Sequence, residues 1–144
     1  MWTVTGLLPD TTYYWQVRAI FKDGTVGDWS YAKEPRYFST SLAKGPVLRA
    51  PANGSSKFPV VMKWKKPAGC PAGTAYILQY GADPVFGAGT YRETPVITTI
   101  SYRLDVLDTA GTYYWRVKAV DAGGTKDYSQ FSSVRSFKRV IPAP

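Results

Sequence analysis

The chain has 144 residues, 44% of them apolar, and a formal charge of +8, a composition that supports a packed core and excludes wholesale disorder. No apolar run approaches the roughly 20 residues of a membrane-spanning helix, and the start, Met1-Trp2-Thr3-Val4-Thr5, lacks the basic-then-apolar order of a signal peptide. Histidine is absent and cysteine occurs once, which removes His-based triads, most zinc sites and any internal disulfide.

The first patterned segment is Tyr13-Tyr14-Trp15-Gln16-Val17-Arg18-Ala19. Its period of two puts Tyr13, Trp15, Val17 and Ala19 on one face and Tyr14, Gln16 and Arg18 on the other, the signature of a half-buried strand. The same text returns 100 residues later: Thr12 to Trp15, Val17 and Ala19 are identical to Thr112 to Trp115, Val117 and Ala119. Gly24-Thr25 matches Gly124-Thr125 at that offset, and after a one-residue deletion Asp28-Trp29-Ser30 aligns with Asp127-Tyr128-Ser129. Arg36 and Phe38 then align with Arg135 and Phe137. A period near 100 is too long for a solenoid and fits a whole sandwich domain.

Residues 41–45 form a short polar linker. Beyond it, Val60, Met62 and Trp64 alternate with Val61, Lys63 and Lys65; Tyr76, Leu78 and Tyr80 with Ile77 and Gln79; and Tyr102 and Leu104 with Arg103 and Asp105. Turn clusters separate these runs: Pro51-Ala52-Asn53-Gly54, Pro67-Ala68-Gly69, Gly81-Ala82-Asp83-Pro84 and Asp121-Ala122-Gly123-Gly124. No segment keeps a helical period, so the fold class is all-β, an antiparallel β-sandwich.

These residues resemble the fibronectin type III family. Leu7-Leu8-Pro9-Asp10-Thr11-Thr12-Tyr13 is similar to the family's corner before strand F, and Tyr13-x-Trp15-x-Val17-x-Ala19 to strand F itself. The resemblance implies an immunoglobulin-like (fibronectin type III) sandwich, one complete and one partial. Residues 1–40 would be the C-terminal half of one domain (strands E, F and G), 46–140 a complete domain, and 141–144 the start of a further linker. Trp64 falls in strand B, Tyr76 to Tyr80 in C, Tyr102 to Leu107 in E, Tyr113 to Val120 in F, and Tyr128 to Phe137 in G. Tyr13, Trp15, Trp64, Tyr76, Leu78, Tyr113, Trp115 and Phe137 are the expected structural core, with Tyr13 and Tyr113 as corner tyrosines bonded to nearby backbone. The second corner, Leu107-Asp108-Thr109-Ala110-Gly111, lacks the proline of the first. The pattern is nearest to the tandem modules of secreted and surface bacterial proteins.

The charge is uneven: residues 1–44 hold five basic and four acidic side chains, residues 45–144 thirteen and six. A basic domain attracts acidic partners such as an acidic polysaccharide. Lys63, Lys65, Arg103, Arg116 and Lys118 are divided between the outer faces of both sheets, a solvated distribution that disfavours nucleic acid, whose footprint gathers on one face. Cys70 reads as a free thiol with nothing basic beside it, and Asn53-Gly54 as a turn supplying positive φ in preference to a glycosylation acceptor. Gly123, Gly124, Thr125 and Lys126 form a candidate interaction loop. Without histidine, and with the acids in turns or outward on strands, no catalytic residue, metal ligand or cofactor site is expected. The function expected is a non-catalytic structural or adhesive module, extracellular or at the cell surface, in a stalk or filament. The alternative is a spacer or carbohydrate-interacting module beside a secreted polysaccharide-degrading enzyme, and a phage or secretion-machine component would share the fold. The inner face of residues 1–40 has no opposing sheet in this chain, so upstream sequence of a longer chain, a domain of another polypeptide or a copy of itself is expected to cover it.

Overall fold

The computed structural model describes residues 1–30 and 33–144, and the described residues form strands and no helix. In chain order the strands are β1 (Thr12–Trp15), β2 (Arg36–Ser39), β3 (Val47–Ala50), β4 (Val60–Lys65), β5 (Ala75–Gly81), β6 (Tyr91–Glu93), β7 (Ser101–Leu104), β8 (Gly111–Val120) and β9 (Arg135–Arg139). Among the described residues, strands β1 and β2 pair only with each other, while β3-β4-β7 form one sheet and β6-β5-β8-β9 another, with all neighbours antiparallel. The last two sheets pack face to face as a sandwich.

Alternation explains which side chains lie between the sheets. Val60, Met62 and Trp64 of β4 are buried while Lys63 and Lys65 are exposed. Across the interior stand Tyr76, Leu78 and Tyr80 of β5, Trp115, Val117 and Ala119 of β8, and Phe137 of β9. Trp64 meets Tyr76 edge-on at 5.4 Å between centroids, a favoured geometry for aromatic pairs. The indole N–H groups of Trp64 and Trp115 are buried without a hydrogen-bond partner among the described residues, which costs about 1–3 kcal/mol each. Hydrophobic burial around both rings offsets that cost.

The corner tyrosines differ in detail. Tyr13 Oη accepts the Leu8 N–H at 2.7 Å. Tyr113 Oη donates to the Thr109 carbonyl at 3.1 Å and shares a 2.7 Å bond with Thr109 Oγ1. In the first corner Pro9 is buried, whereas Thr109 is exposed and turns its hydroxyl onto the tyrosine. The ring partner is the same in both: Tyr13 stacks on Phe38 and Tyr113 on Phe137, each at 5.7 Å.

Four expectations need correction. Residues 1–8 form no strand, so the first unit is a two-stranded hairpin without a strand E among the described residues. Strand G begins at Arg135, not Tyr128, because the hydroxyls of Ser129 and Ser132 accept the Ala119 and Val117 N–H groups and hold 128–134 in a non-strand path. The repeat register also moves between the strands. Ser30 bonds to Val17 through both its N–H and its hydroxyl, as Ser132 does to Val117. Trp29-Ser30 therefore corresponds to Phe131-Ser132, and the second copy carries an insertion where textual similarity suggests a deletion. Finally, residues 41–45 are not a free linker: Ala43 pairs with the 128–130 segment through two backbone hydrogen bonds.

Candidate interaction surface

Trp15, Val17 and Phe38 lie where Trp115, Val117 and Phe137 lie in the second copy, but with an opposite environment. Trp15 is 44% exposed and Trp115 0%. The reason is the second layer: β3, β4 and β7 cover Trp115, and among the described residues no sheet covers the inner face of the β1–β2 hairpin. Trp15 is thus exposed, against the expectation that it belongs to the core, and Tyr13 is half-buried by Phe38 and its own corner. Trp2, Val4, Trp15, Gln16, Val17 and Phe38 line a groove of about 410 Å³ on this side.

The outer face of the four-stranded sheet carries a polar cluster that the sequence pattern did not reveal. The Arg116 guanidinium lies 4.3 Å from the Phe86 ring centroid and 3.9 Å from that of Phe131. Its Nε donates to Gln79 Oε1 at 2.9 Å, and Gln79 Nε2 donates to Glu93 Oε2 at 2.7 Å. Lys118 pairs with Asp127 at 2.9 Å and lies 5.2 Å from the Phe131 ring. Arg116 and Lys118 are therefore half-buried structural cations, not the solvated charges expected. Arg103 pairs with Asp105 at 2.7 Å, while Lys63 and Lys65 point into solvent. The aromatics that could stack on sugar are dispersed: Tyr14 tilts 52° against Tyr37 on the hairpin, and Tyr91 tilts 58° against Phe86 on the sandwich.

The predicted interaction loop is built around Asp121. Its carboxylate accepts the Thr125 and Lys126 N–H groups at 2.6 and 2.8 Å and the Thr125 hydroxyl at 3.0 Å. These bonds, the Lys126 N–H foremost, hold the carboxyl below its usual range. Gly124 is required by its φ of +70° and because a Cβ there would meet Val96 at 2.5 Å. Gly123 and Thr125 complete the turn, and Lys126 Nζ reaches Thr11 Oγ1 of the preceding unit at 2.7 Å. Asp23 and Asp83 organise two other turns in the same way, and their hydrogen bonds lower both carboxyls.

Cys70 is a buried free thiol. Burial pushes it up against the opposing pull of the Lys66 ammonium, although nothing basic adjoins it in the chain. In the Asn53-Gly54 turn only Gly54 has positive φ, at +77°. Asn53 instead uses Oδ1 to accept the Ser136 N–H at 2.8 Å. Trp64, Tyr76, Leu78, Trp115 and Phe137 lie in the sandwich interior, away from any accessible surface, and Tyr113 lies at its half-buried edge. Phe86 and Phe131 have no mark in the sequence pattern, and Gln79, placed there only on the outward face of its strand, is a buried amide. The available signal was the Ser129-x-x-Ser132 spacing around Phe131, which marks a segment tied to a strand.

No family model and no curated protein matches the chain. Among solved structures, it is similar to the fibronectin type III domain of human fibronectin type III domain containing protein 3, with a TM-score of 0.52 and 19% identity over 71% of this chain and 90% of that one. The fold is that of a fibronectin type III domain. In that fold β3-β4-β7 are strands A, B and E, and β6-β5-β8-β9 are C′, C, F and G. The sixth such domain of the same human protein aligns at a TM-score of 0.44 and 22% identity, covering 72% of this chain and 90% of that one. Domains d3–d4 of the rat CD45 extracellular region align at 0.49 and 14%, covering 96% of this chain and 68% of that one.

Proposed function

We propose that the chain is a non-catalytic structural or adhesive module of an extracellular or cell-surface multidomain protein, and that the Trp15 face of residues 1–40 is its protein-contact surface. The observation that carries this reading is the contrast between Trp15, 44% exposed, and Trp115, fully buried, in the same motif. Leaving a large apolar side chain in water forfeits about 1.5–3 kcal/mol. The occupant that fits is a three-stranded antiparallel sheet patterned like β3-β4-β7, since that sheet covers the equivalent residues in the second copy. The carboxylates of Asp23, Asp83 and Asp121 are each taken up by hydrogen bonds of their own turns, a structural use of these side chains that fits the reading. The tilted tyrosine pairs offer no flat sugar platform, which sets the carbohydrate-interacting reading second.

The repeat supplies its own test. Leu7 occupies the position of Leu107, so a copy of residues 46–106 fused before residue 7 would provide the covering sheet in register. Limited proteolysis should cut within 1–40 of the native chain and spare the same residues in the fusion. Cleavage at the same rate in both would overturn the proposed occupant. A monomeric native chain whose first 40 residues resist protease would overturn the need for any partner.

A further inference from the structure

We infer that the loop Asp121–Asp127 is a docking surface for the preceding unit of its own chain, and that it locks the hairpin and the sandwich in one orientation. This inference concerns the junction and does not depend on what covers the Trp15 face. Three sets of contacts converge there. On the hairpin side, Thr40 N–H donates to the Thr11 carbonyl at 3.0 Å, Thr40 Oγ1 to the Leu8 carbonyl at 2.6 Å, and Asp10 N–H to the Ser41 carbonyl at 3.3 Å. On the sandwich side, Ala43 N–H donates to the Tyr128 carbonyl at 2.9 Å and Ala43 accepts the Gln130 N–H at 3.0 Å. Only Leu42 separates the two tied segments. The dihedrals about Leu42 are then the one hinge left between the units, and a contact that spans it sets their angle.

The third set spans the gap directly. Lys126 Nζ donates to Thr11 Oγ1 at 2.7 Å, and that hydroxyl donates onward to the Pro9 carbonyl at 2.8 Å. The Lys126 backbone is itself held by Asp121, so the donor is presented from a preorganised turn. Gly45 permits the close approach: a Cβ there would lie 2.3 Å from the Phe131 carbonyl oxygen. The lysine is particular to this junction. In the first copy Phe21 N–H closes the loop on the Thr25 carbonyl where Asp121 N–H closes it on that of Lys126, so the second loop is one residue longer and the first has no lysine there.

The test is the distance between nitroxide labels at Gln16 and Lys63, both exposed, measured by double electron–electron resonance on the full chain in a Cys70→Ser background. One narrow distance is expected in the parent. Lys126→Ala should lose the narrow peak to a broad distribution, while Lys126→Arg, which keeps a cationic donor, should retain it. Gly45→Val should displace or broaden the peak independently. A broad distribution in the parent, or a peak indifferent to Lys126→Ala, would overturn the inference. Amide spectra of residues 46–140 that match the parent establish that each variant sandwich is folded.

Discussion

The Arg116 guanidinium lies 3.9 Å from the ring centroid of Phe131 and 4.3 Å from that of Phe86, which places it between the two. A cation so placed is attracted by both ring faces and loses part of its water. Its bond to Gln79 also satisfies an amide that is itself buried. The outer face of the four-stranded sheet is thereby held together by a charge.

Replacing Arg116 with methionine keeps an unbranched stem and removes the charge and the donor. A destabilisation of about 2 kcal/mol is expected, combining the lost cation–π attraction with an unpaired Gln79 carbonyl. Urea unfolding of the full chain measures it. A loss below about 0.5 kcal/mol, the range of ordinary surface changes, would place the guanidinium in water instead.

Trp64 tests the centre of the sandwich. Trp64→Ala should cost about 3–5 kcal/mol, because it empties a site that is 1% exposed. Trp64→Phe should cost clearly less, since it keeps much of the ring and removes the indole N–H that has no acceptor. Equal losses in the two variants would mean that a phenyl ring recovers none of the packing and that the site is not the close-packed centre described.

Alternation made most of this legible in the sequence. Trp64, Trp115 and Leu78 point inward because strand geometry alone puts every second residue on one face. Tyr13 and Tyr113 were legible as corners from their place after a turn. What covers a face was harder to read. The pattern sends Arg116 outward but says nothing of Phe131, which arrives from a segment held by Ser129 and Ser132 through bonds to the β8 backbone. The same bonds explain the wrong register for Trp29-Ser30: similarity to Tyr128-Ser129 is textual, whereas position is set by which N–H each serine accepts. Residues 41–45 look like a linker by composition and are anchored by main-chain bonds, which composition does not encode.

The Asp121 turn predicts a pH response confined to acid. Hydrogen bonds to the ionised carboxylate lower its folded pKa beneath the unfolded value of about 3.9. The contribution is therefore fully present above the unfolded pKa and is lost as pH falls through the lowered folded value. The amide resonances of Thr125 and Lys126 should stay constant from neutrality down through pH ~5 and move only below the usual carboxylate midpoint. Asp121→Asn should abolish that titration. Movement centred at or above the usual midpoint would contradict the hydrogen-bonded turn.

The final prediction uses the repeat as its own control. Trp15 and Trp115 occupy one motif, on strands that each pair with an Arg-x-Phe strand, Arg36-Tyr37-Phe38 and Arg135-Ser136-Phe137. Intrinsic strand preference is therefore nearly equal at the two sites, and the difference between them is the covering sheet. Trp115→Ala should destabilise the sandwich by about 3–5 kcal/mol, as expected for a large buried aromatic. Trp15→Ala should leave the sandwich within about 0.5 kcal/mol of the parent, because the ring touches no second layer. Denaturant unfolding followed through amide signals of residues 46–140 reads both effects on one scale. A cost for Trp15→Ala approaching that of Trp115→Ala would mean that the hairpin face is covered in solution and stabilises the sandwich through its cover. That result would remove the exposed apolar face on which the contact-surface reading rests.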